Sequence, residues 1–437
     1  MDRRPVRWAM LSTLLVPLTA SAFDDADAER VLAFARSQLA KTADSLPADL
    51  TPKASRPDGT WVTIQATDQH EWVQGFLPGL LWFMHETEPA GPWRARAEKF
   101  LGPIEHQKDN RATHDLGFKM FLAYHPAWKA TGDERDRRIL LDSAASLASR
   151  YDERAAIVKC CDWNPDWKLP LAIDTMMNLE LLLWGAQNGG NPDWQRMALN
   201  HALTNLRDAV RPDGGTYHIV DYDPATGQAR RKETFQGFAD ESTWARGHAW
   251  AIYGYTMVYR YTRDPRMLDA ARRVTEYYLA RLPPDLVPNW DFDAPRQQKD
   301  SSAAAVVASA LLELSDYVGS PERERYLDVA LRTLEVLSSR DYLAKGTNSP
   351  GILLHGVHHL PDNRHVDTAL IYGDYYFVEA VLRARALEAP VTSEPPAPGP
   401  VDVAAEERSG GCSSVPGPAI MTFVLASALL RRRRRAG

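Results

Sequence analysis

Residues 243–260 read TWARGHAWAIYGYTMVYR, a segment that is apolar nearly all the way round the helix that it predicts. Residues 264–282 read DPRMLDAARRVTEYYLARL, and their apolar side chains form one stripe beside a charged face. A helix that is apolar on all sides belongs in a buried layer, whereas a helix with one apolar stripe lies at a surface. The two segments therefore predict an inner helix that is followed by an outer helix.

The same alternation runs through the whole body of the chain, in which strand-like patterns are scarce. The inner segments start at long and unequal spacings, which favours a closed ring over a regular solenoid. We therefore predict an all-α fold, an (α/α)6 barrel with six inner and six outer helices. The outer segments are 25–41, 92–107, 135–151, 192–210, 264–282 and 321–340, and the inner segments are 75–86, 114–125, 172–186, 243–260, 300–316 and 368–388.

The composition is that of an ordinary globular protein. Apolar residues make up 44% and charged residues 25% of the 437 residues, which argues against bulk disorder. The net charge of −6 weighs against a nucleic-acid partner, since such proteins are normally basic. Cys160 and Cys161 are adjacent and Cys412 is far away, which matches neither a disulfide framework nor a zinc site. Phosphate-binding and dinucleotide motifs are absent from the sequence, and we predict no cofactor and no metal.

Both ends of the chain predict export. Residues 1–22 combine a basic region, a short apolar run and a small-residue cleavage site, as a signal peptide does, although a short anchor is the alternative. Residues 390–411 form a proline-rich linker. Residues 412–437 join a cysteine, an apolar run and five arginines, and they resemble myxobacterial-type C-terminal sorting signals; a weak membrane anchor is the alternative. Residues 23–389 are then one exported domain, at the cell surface or outside the cell.

Reactive side chains fall at the starts of the predicted inner helices. His114 and Asp115 open the second of them, and Asp174 opens the third. Inner helices that run the same way bring these starts to one mouth of the barrel. Two neighbouring carboxylates push their pKa values apart, which leaves one protonated as an acid and the other ionised. The alternatives are a helix N-cap for Asp174 and a first-turn residue for Asp115.

Other side chains near the predicted mouth suit a sugar. Arg246 and Trp250 lie four residues apart and share a helix face, so they offer a carboxylate fork and an apolar platform. A core tryptophan beside a structural ion pair is the alternative. His218 lies on a loop, where histidines are often simply solvated, and Trp72 and Trp244 lie in or beside loops of the same end.

Five motifs in register now show a resemblance to a known family. Over roughly residues 25–388 the chain resembles the unsaturated glucuronyl hydrolases of glycoside hydrolase family 88. The motifs are HDLGF at 114–118, DTMMNL at 174–179, RGHAWAIYG at 246–254, DSSAAA at 300–305 and GDYYF at 373–377.

The resemblance implies hydration of a vinyl ether. The substrate is an oligosaccharide left by a polysaccharide lyase, with a 4,5-unsaturated uronic acid at its non-reducing end. Asp174 matches the family's acid/base, which protonates C4 and helps water to add at C5, and Asp115 matches the second essential carboxylate. The expected substrate-binding residues are His218, Gln236, Trp244, Arg246 and Trp250, to which we add His114 and Trp72 at the mouth.

Two departures bear on substrate choice rather than on reaction type. His248 stands where a glutamine is common, and Leu77 stands where a tryptophan often follows Gly-Phe. A sister hydrolase of unsaturated rhamnogalacturonan fragments is the nearest alternative function. A surface-held protein that binds glycans without catalysis is the alternative from another class, and it would be favoured if either carboxylate were missing.

Overall fold

A computed structural model describes residues 23–388 of the chain. The predicted signal peptide at 1–22, the linker at 390–411 and the sorting signal at 412–437 lie outside the described residues. Twelve α-helices are present in the described range, which confirms the helical prediction. They are α1 (Asp25–Ser45), α2 (Phe76–Thr87), α3 (Trp93–Ile104), α4 (Leu122–Thr131), α5 (Glu134–Ala148), α6 (Thr175–Gln187), α7 (Asp193–Asp208), α8 (Ala245–Thr262), α9 (Pro265–Arg281), α10 (Ser301–Leu314), α11 (Glu322–Leu337) and α12 (Ile371–Glu388).

The even-numbered helices form a closed inner ring. Contacts run from α2 to α4, from α6 through α8 and α10 to α12, and from α12 back to α2. The segment Gly117–Phe121, which leads into α4, makes the contact with α6. The outer helices cover the ring, with α3 on α2, α5 on α4, α7 on α6, α9 on α8, α11 on α10 and α1 on α12. The predicted (α/α)6 barrel is therefore confirmed.

Burial follows the two sequence patterns. Thirteen of the fourteen residues of α10 are buried, as its alanine-rich and leucine-rich sequence predicts for an inner helix. Outer helix α9 buries Met267, Ala270, Ala271, Val274 and Tyr278, which recur at the spacing of one helical stripe. None of the helices in residues 23–388 is long and apolar enough to cross a membrane.

Nine short strands were not predicted. They form four small antiparallel sheets in the connections between helices, and the three-stranded sheet leads directly into α6. Each strand has only two to six residues, too few to show a clear alternation in the sequence. The strands are β1 (Leu50–Ser55), β2 (Trp61–Gln65), β3 (Tyr151–Asp152), β4 (Ile157–Val158), β5 (Leu169–Ala172), β6 (Ile219–Tyr222), β7 (Ala229–Glu233), β8 (Gly356–His359) and β9 (Arg364–Thr368).

A widened π-type turn, Gly117–Phe121, precedes α4. The amide of Phe118 in this turn donates to Oδ1 of Asn178 on the neighbouring inner helix at 3.0 Å. The side-chain amide of Asn178 donates to the carbonyl oxygen of Asp174 at 3.3 Å. π-type turns are frequent at functional sites. Here the turn ties the start of the second inner helix to the start of the third.

The close approach of α2 to this turn gives a test of the ring. A Cβ added to Gly75 would clash with the Phe118 carbonyl oxygen and lie 2.7 Å from that of Lys119. Backbone atoms cannot swing aside, so we expect Gly75→Ala to lower the free energy of unfolding by about 2–3 kcal/mol. Gly319→Ala, where a Cβ meets nothing within 4 Å, should change it by less than about 0.5 kcal/mol. Urea unfolding measures both, and equal stabilities for the two variants would contradict the packing described.

Candidate active site

A cavity of about 370 Å³ opens at the mouth where the inner helices begin. Six of the predicted site residues line it, which brings together positions that span more than 160 residues of sequence. They are Trp72, His114, Asp115, Asp174, His218 and Gln236.

His114 lies between the two predicted carboxylates. Its Nε2 is 3.4 Å from Oδ1 of Asp115 and 4.0 Å from Oδ2 of Asp174. Its Nδ1 is 2.6 Å from the hydroxyl of Thr175, which fixes the ring. Thr113 donates its hydroxyl proton to Oδ2 of Asp115 at 2.5 Å. The two carboxylates therefore form one cluster around Nε2 of His114.

His114, Asp115 and Asp174 are also close enough together to bind one metal ion. Their potential ligand atoms lie within 4.8 Å of one another. Carboxylate oxygen and imidazole nitrogen are both common metal ligands. The prediction of a metal-free site stays a prediction.

Asp174 has the surroundings of a general acid. It precedes α6, but its carboxylate caps no backbone N–H of that helix, so the N-cap alternative does not describe it. Its side chain is 19% exposed, and within residues 23–388 its Oδ1 has no hydrogen-bond partner. Burial raises the pKa of Asp174, and of the two nearest charged groups His114 opposes the shift while Asp115 adds to it. A carboxyl group held in its protonated form can donate a proton into the cavity.

His218 is held as a neutral proton donor. Its Nδ1 accepts the backbone N–H groups of Phe235 at 3.1 Å and Gln236 at 3.2 Å, so the ring proton belongs on Nε2. Burial and the nearby Arg246 cation lower the pKa of His218 to about 3, which keeps the ring uncharged. The face of the ring lies 4.7 Å from that of Trp244, measured between centroids. The loop histidine is thus a fixed wall residue and not a solvated one.

Arg246 lies beneath the residues that form the cavity wall. Its Nη1 pairs with Oδ2 of Asp300 at 3.2 Å and also donates to the Val357 carbonyl oxygen. Its Nη2 donates to the His358 carbonyl oxygen at 2.7 Å and to Oε1 of Gln236 at 2.8 Å. The residue is fully buried and is not among those that line the cavity. A guanidinium with both terminal nitrogens engaged offers no fork, so we reassign Arg246 from substrate contact to positioning of Gln236.

The predicted platform at Trp250 also changes. Its ring is 1% exposed and packs against Phe118 and Tyr376, with ring centroids 5.4 Å from each, which leaves no free face for a sugar. The arginine contacts Trp244 instead, with its guanidinium 4.5 Å from the ring centroid. Sequence spacing placed Arg246 and Trp250 on one helix face but gave no information on which neighbour that face meets. We therefore reassign Trp250 to the barrel core and Trp244 to the support beneath His218.

Trp163, 48% exposed, brings an aromatic face to the cavity. Two cations that line the cavity, Lys53 and Arg364, were missed by the sequence analysis. Lys53 pairs with Glu71 at 2.7 Å. An acidic protein needs local cations to hold an anionic ligand, but nothing in the sequence near Lys53 or Arg364 marks them as those cations.

A second cavity, of about 620 Å³, lies at the opposite end of the inner helices. Its two arginines are already paired, since Arg260 contacts Glu180 and Glu313 and Arg383 contacts Glu313 at 3.0 Å. A raised carboxyl pKa does occur there, at Glu180, through burial. The smaller cavity nevertheless combines the carboxylate cluster, the neutral histidine and the exposed tryptophan, and we assign the site to it.

The helical barrel, the paired acids and the aromatic side chains at one mouth define the class of this protein. It is an α/α-barrel enzyme that acts on carbohydrate. An unsaturated glucuronyl hydrolase of Formosa agariphila is 41% identical over 325 residues, which cover 72% of this chain and 80% of the relative. One of Bacillus sp. strain GL1 is 36% identical over 330 residues, with coverage of 72% and 86%. The crystal structure of an unsaturated glucuronyl hydrolase specific for heparin gives a TM-score of 0.80 at 36% identity, over 83% of this chain and 98% of that one. No family model matches the sequence.

The chain belongs to the unsaturated glucuronyl hydrolase family, glycoside hydrolase family 88, and it is a glycosidase. The family that the five motifs resemble is thereby confirmed. The roles of the individual site residues stay predictions.

The raised pKa of Asp174 sets the pH dependence. Activity should fall as the pH rises through this pKa, since the acid form is then lost. Asp115→Asn removes a negative neighbour, so the pKa of Asp174 falls and the alkaline limb of residual kcat/KM moves to lower pH. Titration of the Asp174 carboxyl carbon by NMR measures the same shift without turnover. Asp142→Asn, an exposed change on α5, is the control and should leave the alkaline limb of kcat/KM unchanged. If the titration of Asp174 does not move in Asp115→Asn, the two carboxyl groups are not coupled.

The reassignment of Arg246 has its own test. Arg246→Ala leaves Asp300 buried without its cation, and we expect a loss of about 3–5 kcal/mol in the free energy of unfolding. Gln236→Ala keeps that ion pair, so it should preserve stability and raise KM. Denaturant unfolding and steady-state kinetics separate the two effects. If Arg246→Ala has unchanged stability and a raised KM, the original prediction that Arg246 contacts the substrate directly is correct and the reassignment is wrong.

Proposed function

We propose that this chain removes the 4,5-unsaturated uronic acid from the non-reducing end of glycosaminoglycan-type oligosaccharides that a polysaccharide lyase has produced. The observation that carries the proposal is the largely buried carboxyl group of Asp174, whose Oδ1 has no hydrogen-bond partner among the described residues, beside His114 and Asp115 in an open cavity. A relative of known structure is described as specific for heparin, a glycosaminoglycan.

The reaction begins with proton transfer from Asp174. The acid form of Asp174 gives its proton to C4 of the C4=C5 double bond, and positive charge develops at C5 and the ring oxygen. The carboxylate that remains accepts a proton from a water molecule as that water adds to C5. The product is a hemiketal, which opens and releases the rest of the oligosaccharide. One water is consumed and Asp174 regains its proton.

Asp115 and His114 tune this acid. Asp115 stays fixed by the Thr113 hydroxyl at 2.5 Å, and its charge favours the protonated form of Asp174 at the start. His114 is close enough to both carboxylates to stabilise Asp174 once its proton has left. The cluster therefore supports both states of the acid within one turnover.

Substrate binding uses donors that the fold holds in place. His218 presents a neutral ring with its proton on Nε2, and the side-chain amide of Gln236 is oriented by Arg246. Both suit the hydroxyl and carboxylate oxygens of a uronic acid. Lys53 and Arg364 supply the local positive charge that an acidic protein needs for an acidic sugar. Trp72 and Trp163 add aromatic surface for the sugar rings.

Export completes the proposal. A signal peptide at 1–22 would send the enzyme out of the cytoplasm, and the tail at 412–437 would then be processed or embedded at the cell surface. The net charge of −6 includes two basic ends of +2 each, so the exported body carries about −10. Recognition of an anionic sugar therefore depends on groups inside the cavity.

Asp174→Asn tests the acid role. The amide cannot donate the proton, and we expect kcat/KM to fall by about 10²–10⁴-fold. The measurement is the loss of ultraviolet absorbance of an unsaturated chondroitin or hyaluronan disaccharide. The melting temperature should stay the same or rise, because a neutral amide replaces a carboxyl group whose ionised form is disfavoured by burial.

Asp142→Asn serves as the matched control and should keep wild-type activity. Substantial activity in Asp174→Asn would remove this residue from the acid role. A panel that adds unsaturated rhamnogalacturonan fragments separates the sister activity, and binding without turnover by the wild-type protein would identify a glycan-binding protein instead.

A further inference from the structure

Two adjacent cysteines lie in the wall of the catalytic cavity and have no part in the proposed reaction. Cys160 and Cys161 follow β4, and both line the cavity. Cys160 is 1% exposed and Cys161 is 9% exposed. Their thiols are free, and the two Sγ atoms are 2.7 Å apart.

This separation is shorter than an ordinary contact. Non-bonded heavy atoms attract best at about 3.5–4.0 Å, whereas the sulfurs of a disulfide lie about 2.05 Å apart. The side chains therefore point at each other. Adjacent Cα atoms lie about 3.8 Å apart, closer than the roughly 4.4–6.8 Å of most disulfides, so closing the bond also strains the peptide between them.

The backbone of the pair is held on both sides. The N–H of Cys160 donates to the Pro170 carbonyl oxygen at 2.9 Å, and the Cys160 carbonyl oxygen accepts the N–H of His114 at 2.9 Å. Cys161 forms an isolated antiparallel bridge with Thr113, the residue that donates to Asp115. The sulfurs are thus kept together by the same backbone contacts that place the catalytic cluster.

We propose that Cys160 and Cys161 are a reversible modification site, which closes to a vicinal disulfide in the wall of the catalytic cavity. The oxidant is a small-molecule disulfide. The two thiols lose two electrons and two protons and form the Sγ–Sγ bond, while the disulfide bond of the oxidant breaks and yields two thiols. Proposed export would place the pair where disulfides persist. The inference otherwise stands apart from the hydrolase activity.

The two cysteines have different parts in this exchange. Burial raises the pKa of the Cys160 thiol, so Cys160 is the poorer first nucleophile. Cys161 is the more exposed of the two and attacks the oxidant to form a mixed disulfide. Cys160 then attacks the Cys161 sulfur, and its proton goes to the departing thiolate.

The redox state decides what the cavity presents to solvent. In the reduced protein the Cys161 thiol is a nucleophile in the cavity wall, so a bulky electrophile bound to it would occupy the space of the substrate. In the oxidised protein that nucleophile is absent. Substrate hydrolysis itself needs neither thiol.

The first experiment maps the cysteines in the full chain. The protein is treated with 2-hydroxyethyl disulfide, alkylated with iodoacetamide and digested. We expect the peptide that contains both residues to be two hydrogens lighter and unalkylated, and to take up two labels only after reduction. Cys412 falls in a different peptide. Two labels without reduction would overturn the proposal, and this readout needs no substrate, so it is independent of whether the hydrolase assignment holds.

The second experiment uses N-ethylmaleimide and activity. The reduced enzyme should lose at least tenfold in kcat/KM on labelling, whereas the oxidised enzyme should keep its own unlabelled value. Cys160→Ser retains Cys161 without its partner, so treatment with the oxidant should stop at the mixed disulfide, seen as a hydroxyethylthio group added to the Cys161 peptide. The double variant Cys160→Ser/Cys161→Ser should have the same activity with and without the reagent. Equal responses of the reduced and oxidised wild-type protein would contradict the proposal.

Discussion

The buried guanidinium of Arg246 joins parts of the chain that are far apart in sequence. It lies on α8, pairs with Asp300 at the start of α10, and donates to the carbonyl oxygens of Val357 and His358 in β8. A buried cation is tolerated only when it is paired and hydrogen-bonded, so these elements are fixed relative to one another. The remaining contact, to Gln236, fixes the position of that side chain in the wall of the cavity.

Burial of charge also determines the properties of the cluster formed by Asp115 and Asp174. The acidic body of the protein repels an acidic sugar at long range. The cavity offsets this repulsion locally, because it contains a neutral His218 and the cations Lys53 and Arg364. Burial raises the pKa of Asp174, and the neighbouring Asp115 adds to that shift. The fold therefore favours the protonated form of a residue that would be ionised in water.

The helical periodicity was long and repeated enough to predict every helix of the barrel and the mouth at which Asp115 and Asp174 meet. The short strands were not predictable, since β5 pairs with β6 across about fifty residues and neither is long enough to show a period. The helix positions of Arg246 and Trp250 were predicted, but their neighbours were not, because a shared face on one helix does not identify what packs against it.

The sequence by itself determined the alternation of buried and exposed helices, the five motifs and the pair of carboxylates, since these depend on residue type and local spacing. Only the tertiary structure decided which side chains face the cavity. Closure of the ring buried Trp250, turned Arg246 to Asp300, and brought Lys53 and Arg364 to the site from distant hairpins. It also placed Cys160 and Cys161 in the wall of the same cavity. Burial and long-range contact are properties of the assembled barrel, and no local pattern encodes them.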